Sequence, residues 1–92
     1  MKAVAEIQVV PIGEGTSVRE IVKRAVSIIR ESGLKSETHG FGTNVEGELA
    51  LILETIETLH TRLHEEGTTR LVTYVKLGTR TDHQPTLDSR KL

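Results

Sequence analysis

The order in which two kinds of hydrophobic pattern follow one another constrains the fold of this 92-residue chain most strongly. A period of two residues is typical of half-buried β-strands, and a period of 3.6 residues is typical of amphipathic α-helices. Strand-like segments lie at Ala3–Ile12, Leu34–Phe41, Thr43–Glu48 and Arg70–Gly78, and helix-like segments lie between Ser17 and Ser32 and between Leu49 and Gly67. The sequence therefore predicts the order β-α-β-β-α-β.

Local signals mark the ends of the two predicted helices. Ser17 and Glu20 have the spacing of a capping box, in which each side chain binds a backbone N–H at the start of a helix. Gly33 suits the left-handed position that ends the first helix. The second helix carries Arg62 and His64 near its C-terminal end, as the helix dipole favours. Each helix is therefore predicted to end just before a glycine.

This order of elements predicts an α+β fold of the split-βαβ, ferredoxin-like kind. In that arrangement an antiparallel four-stranded sheet carries two helices on one face. The other face of the sheet must then be solvated, bind a ligand or pack on another subunit. We predict a single domain over residues 1–92, in which the polar residues 79–92 form a C-terminal tail that is ordered at a subunit interface.

Composition excludes several classes of function. Twelve Lys and Arg residues oppose 13 Asp and Glu residues, so the net charge of −1 provides no overall field that attracts nucleic acid or an anionic membrane. The absence of cysteine removes disulfides, thiolate nucleophiles and cysteine-type zinc sites. No apolar run approaches the roughly 18 residues of a membrane span, and no signal-peptide pattern precedes the first strand. We therefore expect a cytoplasmic protein with no membrane or nucleic-acid partner.

Catalytic motifs are also missing from the sequence. It contains no phosphate-binding Walker loop, no Gly-x-Ser-x-Gly turn and no recognisable Ser/His/Asp set. RNA-binding domains with this kind of fold need aromatic side chains for base stacking, and the chain has only Phe41 and Tyr74. We therefore predict a binding protein that is not an enzyme and that needs no cofactor.

The segment Gly40–Gly47 is the best candidate for a binding site. It combines three glycines with the hydroxyl of Thr43, the amide of Asn44 and the carboxylate of Glu46, at the point where a strand meets a helix. Glycines let backbone segments approach closely, and loops held by rigid elements often carry ligand contacts. The alternative is a tight β-bend whose polar side chains only cap backbone groups and the second helix.

A second candidate site lies on the second helix. Glu57, His60 and His64 fall near one helical face, and two histidines four residues apart can hold a metal ion together with a carboxylate. The metalloprotease motif needs Glu directly after the first histidine, whereas Thr61 follows His60. We interpret these residues as a solvated helix face and expect no metal site.

Three segments of the chain carry a resemblance to a known family. They are Val10–Gly13 with Thr16–Val18 at the entry to the first helix, Gly42–Gly47 before the second helix, and Gly78–Asp82 at the end of the fourth strand. In these segments the chain resembles the small thiamine-binding proteins with a ferredoxin-like fold, which assemble through their sheets into dimers and tetramers. Many members carry an aromatic residue just after the Glu-Gly pair, whereas Glu48 and Leu49 follow here.

This resemblance implies that the ligand is thiamine or its hydroxymethylpyrimidine part. An aminopyrimidine has an edge of hydrogen-bond donors and acceptors, and a thiazolium is a cation, so amides, hydroxyls and a carboxylate suit such a ligand. In this interpretation Glu46 accepts from the amino group or offsets the charge, and Ser17 also caps the first helix. The residues assigned to the ligand are Gln8, Ser17, His39, Phe41, Thr43, Asn44 and Glu46.

The resemblance also implies a homo-oligomer, which we expect to be a tetramer built as a dimer of dimers. A domain of this size has a thin core, and its fourth strand leaves apolar side chains on the sheet face that the helices do not cover. That face holds either Val72 and Tyr74 or Leu71, Val75 and Leu77. A regulatory or scaffolding oligomer without a thiamine site is the alternative function.

Overall fold

The strands and helices follow the predicted order, and the predicted ferredoxin-like α+β fold is confirmed. The computed structural model describes residues 1–13, 15 and 18–88. Ser17, the predicted cap of the first helix and a predicted ligand residue, lies outside the described residues. The strands are β1 (Lys2–Pro11), β2 (Lys35–His39), β3 (Gly42–Glu48) and β4 (Leu71–Gly78), and the helices are α1 (Val18–Glu31) and α2 (Leu49–Glu65).

The four strands form one antiparallel sheet in the order β2-β3-β1-β4. β1 lies inside the sheet and pairs with β3 on one side and β4 on the other. Glu6 of β1 is therefore opposite Asn44 of β3 and also opposite Lys76 of β4. Directly opposite residues of antiparallel strands point to the same face, so the register alone places these three side chains side by side.

Alternate residues of β1 point towards the two helices and contribute to the core. Ala3, Ala5 and Ile7 are at most 5% exposed. Burying one large aliphatic side chain contributes about 1.5–3 kcal/mol, so this apolar layer fixes both helices on one face of the sheet. The other core residues are Ala25, Ile28, Ile29, Leu34, Val45, Ile52, Leu59 and Leu63.

Neither α1 nor α2 lies on the opposite side of the sheet, which we call the open face. It carries the strand residues that alternate with the core positions. By register these include Val4, Glu6, Gln8, Glu37, Asn44, Glu46, Val72, Tyr74 and Lys76. The open face is thus polar in its middle and apolar at β4.

Both helices end where the sequence predicted. Gly33 follows α1 with a φ of 91°, the left-handed conformation expected of it. Arg24 of α1 donates from Nε to Glu66 Oε1 over 3.0 Å, and this hydrogen bond lowers the pKa of Glu66. The pair is solvent-exposed and adds little stability. Neither helix has the length and apolar character that crossing a bilayer requires, among the residues described.

Residues 85–88 of the tail cross the open face of their own chain. Leu87 is buried, and its N–H donates to Glu46 Oε1 over 2.8 Å. Val4 lies on the open face and is nevertheless only 3% exposed, because the tail contributes to covering that end of the sheet. Contacts within the chain therefore hold this part of the tail, and its predicted ordering at a subunit interface stays a prediction.

An ion pair links two residues at the start of the tail. Arg80 donates from Nε to Asp82 Oδ1 over 2.6 Å. Hydrogen bonding to Arg80 lowers the pKa of Asp82 from its ordinary 3.8 to about 2. The pKa of Asp82 is thus lower in the folded state than in the unfolded state. The pair therefore stabilises the fold above pH 3.8, and this stabilisation is lost as the pH falls towards 2.

Candidate functional site

The sheet divides the predicted ligand residues between its two faces. Successive strand residues point to opposite sides. Thr43 is therefore buried on the helix side, whereas Asn44 and Glu46 lie on the open face. His39 ends β2, and Phe41 lies in the turn that leads to β3. Of the predicted residues, Asn44 lines one cavity, and Gln8, His39, Phe41 and Thr43 line a second one.

The larger of these cavities, about 280 Å³, lies on the open face, and we call it the open-face cavity. A row of polar side chains crosses all four strands at its floor, because Glu37, Asn44, Glu6 and Lys76 are successive cross-strand partners. The remaining lining residues are Val4, Ala5, Leu77, Gly78 and Leu87. The floor of the cavity thus carries charged and amide side chains. Apolar residues surround this floor, and Leu87 of the tail forms one wall.

His39 holds two residues of this floor in place. Its Nε2 lies 3.1 Å from Asn44 Oδ1 and 3.2 Å from Glu6 Oε2, and both of these atoms are acceptors. Its Nδ1 accepts the backbone N–H of Phe41 over 3.2 Å. His39 therefore orients Glu6 and Asn44 from the edge of the cavity.

Glu46 has a structural contact that the sequence did not indicate. Its Oε1 accepts the N–H of Leu87, and Leu87 lines the open-face cavity. A hydrogen bond to a charged group contributes about 1.5–3 kcal/mol. Glu46 thus holds the tail against the cavity, and its predicted contact with a ligand stays a prediction.

Sequence reasoning missed Glu6, Glu37 and Lys76 as site residues. Each looks like an ordinary surface charge within its own strand. One of them could have been found by counting outward from the turn at residues 40–41, since a hairpin closed there places Glu37 opposite Asn44. The positions of Glu6 and Lys76 depend on the pairing of β1 with β3 and β4, which are distant in sequence. No local pattern specifies this pairing.

A second cavity, of about 150 Å³, lies between α1 and the turn that joins β2 to β3, and we call it the hairpin cavity. Gln8, His39, Phe41 and Thr43 all line it, so most of the predicted ligand residues meet here. The other lining residues are Ile7, Val9, Val22, Ala25, Val26, Ile29, Thr38, Gly40 and Gly42. Apolar residues of α1 and β1 make up six of these thirteen lining residues.

Gly42 brings the turn close to the central strand. A Cβ added at this position would lie 2.7 Å from the carbonyl oxygen of Ile7. Real Cβ atoms do not approach a backbone oxygen so closely, so only glycine fits here. The close backbone approach expected of the glycine-rich segment is therefore confirmed at this position.

The two histidines of α2 make separate contacts within the chain. His60 Nε2 lies 2.7 Å from Thr73 Oγ1, and His64 Nδ1 lies 2.7 Å from the backbone oxygen of Thr68. The first contact joins α2 to β4, and the second joins it to the loop that follows. Among the described residues, no three His, Asp or Glu side chains are grouped so that they could hold a metal ion.

Sequence comparison relates nearly the whole chain to one family. A family described as thiamine-binding protein matches residues 5–91. The UPF0045 protein ECM15 of Eremothecium gossypii is 40% identical over 91 residues, which cover 98% of this chain and 87% of the relative. The UPF0045 protein MJ1052 of Methanocaldococcus jannaschii is 36% identical over 99% of this chain and 89% of its own length.

Solved structures show the same fold. The crystal structure of MJ1052 matches with a TM-score of 0.88 and 34% identity, over 97% of this chain and 91% of that one. A Thermotoga maritima protein, TM0486, whose suggested role is thiamine biosynthesis or salvage, matches with a TM-score of 0.87 and 28% identity. That match covers 98% of this chain and 95% of the other.

Proposed function

Because this chain belongs to the thiamine-binding protein family, we propose that it binds thiamine, or the hydroxymethylpyrimidine part of thiamine, in the open-face cavity. The observation that carries the proposal is the row of two carboxylates, one amide and one ammonium group at the floor of a cavity of about 280 Å³. The suggested role of the Thermotoga relative supports the same class of ligand. The protein acts in this proposal as a carrier or sensor without catalysis.

The charges of the cavity suit a monovalent cation. Glu6 and Glu37 contribute two carboxylates, and Lys76 contributes one ammonium group. The formal charges of these three side chains sum to −1, which complements the single positive charge of a thiazolium. Partial enclosure strengthens such an attraction, because fewer water molecules screen it.

Asn44 and Glu6 can recognise the aminopyrimidine. The amide of Asn44 can donate and accept, and the carboxylate of Glu6 can accept from the exocyclic amino group. His39 holds both side chains in position before a ligand arrives. Such preorganisation favours binding, since less side-chain freedom is lost when the complex forms.

Aliphatic groups would contact the ring faces. Leu87 and Val4 line the cavity, and neither Phe nor Tyr is among its lining residues in the described part of the chain. The ring contacts in this proposal are therefore apolar packing and not aromatic stacking. This agrees with Glu48 and Leu49 standing where many members have an aromatic residue.

Titration calorimetry with thiamine tests the proposal. We expect one thiamine per chain for the wild type and about tenfold or weaker affinity for Glu6→Gln, which keeps an acceptor for His39 but removes the charge. The matched control is Glu57→Gln, which removes a carboxylate from the exposed side of α2 and should leave affinity unchanged.

The other outcomes separate the alternatives. Weakening by Glu46→Gln alone, with Glu6→Gln unaffected, would place the ligand on Glu46 and outside the proposed floor. No heat with thiamine or with hydroxymethylpyrimidine would contradict the proposal and leave a regulatory or scaffolding oligomer as the function.

A further inference from the structure

The tail returns to the sheet through one short segment. Residues 79–84 are exposed, whereas Pro85 and Leu87 are buried and Thr86 between them is half-buried. We call residues 85–88 the strap. Because the strap follows an exposed stretch of chain, its position depends on its own contacts with the open face.

Few contacts attach the strap to the sheet. The Leu87 N–H donates to Glu46 Oε1 over 2.8 Å, and Lys35 Nζ lies 3.9 Å from Asp88 Oδ2. The second contact joins two exposed side chains and contributes little. Among the described residues, no backbone-to-backbone hydrogen bond joins residues 79–88 to a strand. The strap can therefore leave the sheet without breaking any pairing between strands.

The strap covers part of the open-face cavity. Leu87 and Val4 both line this cavity, and Val4 is only 3% exposed although neither helix lies on its side of the sheet. Val4 is directly opposite Glu46 in the pairing of β1 with β3. The acceptor that holds the strap is thus the cross-strand neighbour of the residue that the strap covers.

We propose that the strap is a cover of the open-face cavity, which opens and closes while the four strands stay paired. A segment that few contacts attach opens locally, at a smaller free energy than global unfolding. The opening itself is independent of the proposed function. Its consequence rests on that function: with thiamine as the ligand, the strap controls how fast the ligand enters and leaves the cavity.

An introduced thiol measures the opening. The chain has no cysteine, so Val4→Cys places a single thiol beneath the strap, and dithiobis(nitrobenzoate) modifies this thiol when the strap opens. The matched control is Val45→Cys, the same substitution at a fully buried position on the helix side of β3. We expect the thiol at position 4 to react about tenfold faster or more. Its rate should also depend less steeply on urea, because a local opening exposes less surface.

A second pair of variants tests the contact that closes the strap. Glu46→Gln keeps the size of the side chain and one acceptor oxygen, but it removes the charge that strengthens the hydrogen bond to Leu87. In the Val4→Cys background it should accelerate modification about threefold to tenfold. Glu57→Gln removes an exposed charge from α2 and should leave the rate unchanged.

Hydrogen exchange checks the same opening without a substitution. The Leu87 amide should exchange faster than the Val45 amide, which lies in a strand that is paired on both sides. The exchange rate of Leu87 should also depend less steeply on urea. Agreement between the two methods would show that Val4→Cys does not itself loosen the strap.

Ligand exchange separates this proposal from the proposed function. Calorimetry establishes whether thiamine binds, whereas the thiol rates are measured without ligand. If thiamine binds in the open-face cavity, Glu46→Gln should raise its association and dissociation rates by similar factors in stopped-flow experiments, with little change in affinity. Absence of thiamine binding would contradict the proposed function and leave the measured opening of the strap intact.

Three results would overturn the proposal. The first is an equal rate and urea dependence for the thiols at positions 4 and 45, since the strap would then open only with the whole fold. The second is a thiol at position 4 that reacts as fast as that of Leu53→Cys, at an exposed position of α2, since the cavity would then have no cover. The third is an equal effect of Glu46→Gln and Glu57→Gln on the rate of modification.

Discussion

At the scale of single residues, one histidine and one glutamate connect the open-face cavity to its surroundings. His39 binds Glu6 and Asn44 through Nε2 and the turn through Nδ1. Glu46 binds the backbone of Leu87, 41 residues further along the chain. Each side chain thus joins a part of the cavity to another segment of the chain.

We predict that Glu46→Ala releases the tail from the open face. The substitution removes the acceptor of the Leu87 N–H, so the free energy of unfolding should fall by about 1–3 kcal/mol. Urea denaturation measures the loss, and hydrogen exchange should show faster exchange at the Leu87 amide. Glu46→Gln retains an acceptor oxygen and should lose less. Unchanged protection of the Leu87 amide in Glu46→Ala would contradict this role of Glu46.

At the scale of elements, the β2–β3 hairpin positions both cavities. Its register places Glu37 opposite Asn44 on the open face and Thr38 opposite Thr43 on the helix side. A shift of one residue would exchange the two sets of side chains between the faces. The close contact of Gly42 with β1 is one feature that resists such a shift.

We predict that Gly42→Ala destabilises the protein by about 1–3 kcal/mol, because the new methyl group would press on the backbone oxygen of Ile7. Gly40→Ala is the matched control, since a Cβ at that position has no atom within 4 Å. Urea denaturation of both variants measures the difference. Equal stability of the two variants would contradict the prediction, because the turn would then accommodate the methyl group without a loss of stability.

At the scale of the whole molecule, β4 leaves apolar surface that the chain itself does not cover. Val72 and Tyr74 are 37% and 61% exposed on the open face, and Val75 and Leu77 are 39% and 46% exposed on the other face. β4 is also an edge strand, whose backbone groups can pair with another strand. Of the two sets that the sequence left open for β4, Val72 and Tyr74 lie on the open face, whereas Leu71 of the other set packs against the core.

We predict a homo-oligomer, as a tetramer built from two dimers, because association would remove this surface from water. Light scattering should show the tetramer at micromolar concentration, and Tyr74→Glu should shift it towards smaller species. Leu53→Glu, which adds the same charge to an exposed apolar position of α2, should leave the mass unchanged. A wild-type monomer under these conditions would contradict the prediction.

The sequence by itself determined the elements and their order. The local signals are the apolar stripes with a period of 3.6 residues, the alternation in the strands and Gly33 after α1. They can be read from the sequence because they depend on residues that are close together in the chain. The family could also be predicted from the sequence, because its motifs are short and contiguous. Thr43, Asn44 and Glu46 can be selected as candidates from the sequence because they also lie in one short, contiguous segment.

Only the tertiary structure decided which of these residues share a site. The alternation of strand side chains sends Thr43 and Asn44 to opposite faces, so a segment that is compact in sequence is divided in space. Glu6 and Lys76 join Asn44 through pairing between strands that are distant along the chain. Leu87 reaches the cavity because the tail folds back onto Glu46. Long-range register and chain reversal depend on the whole core, and no local pattern encodes them.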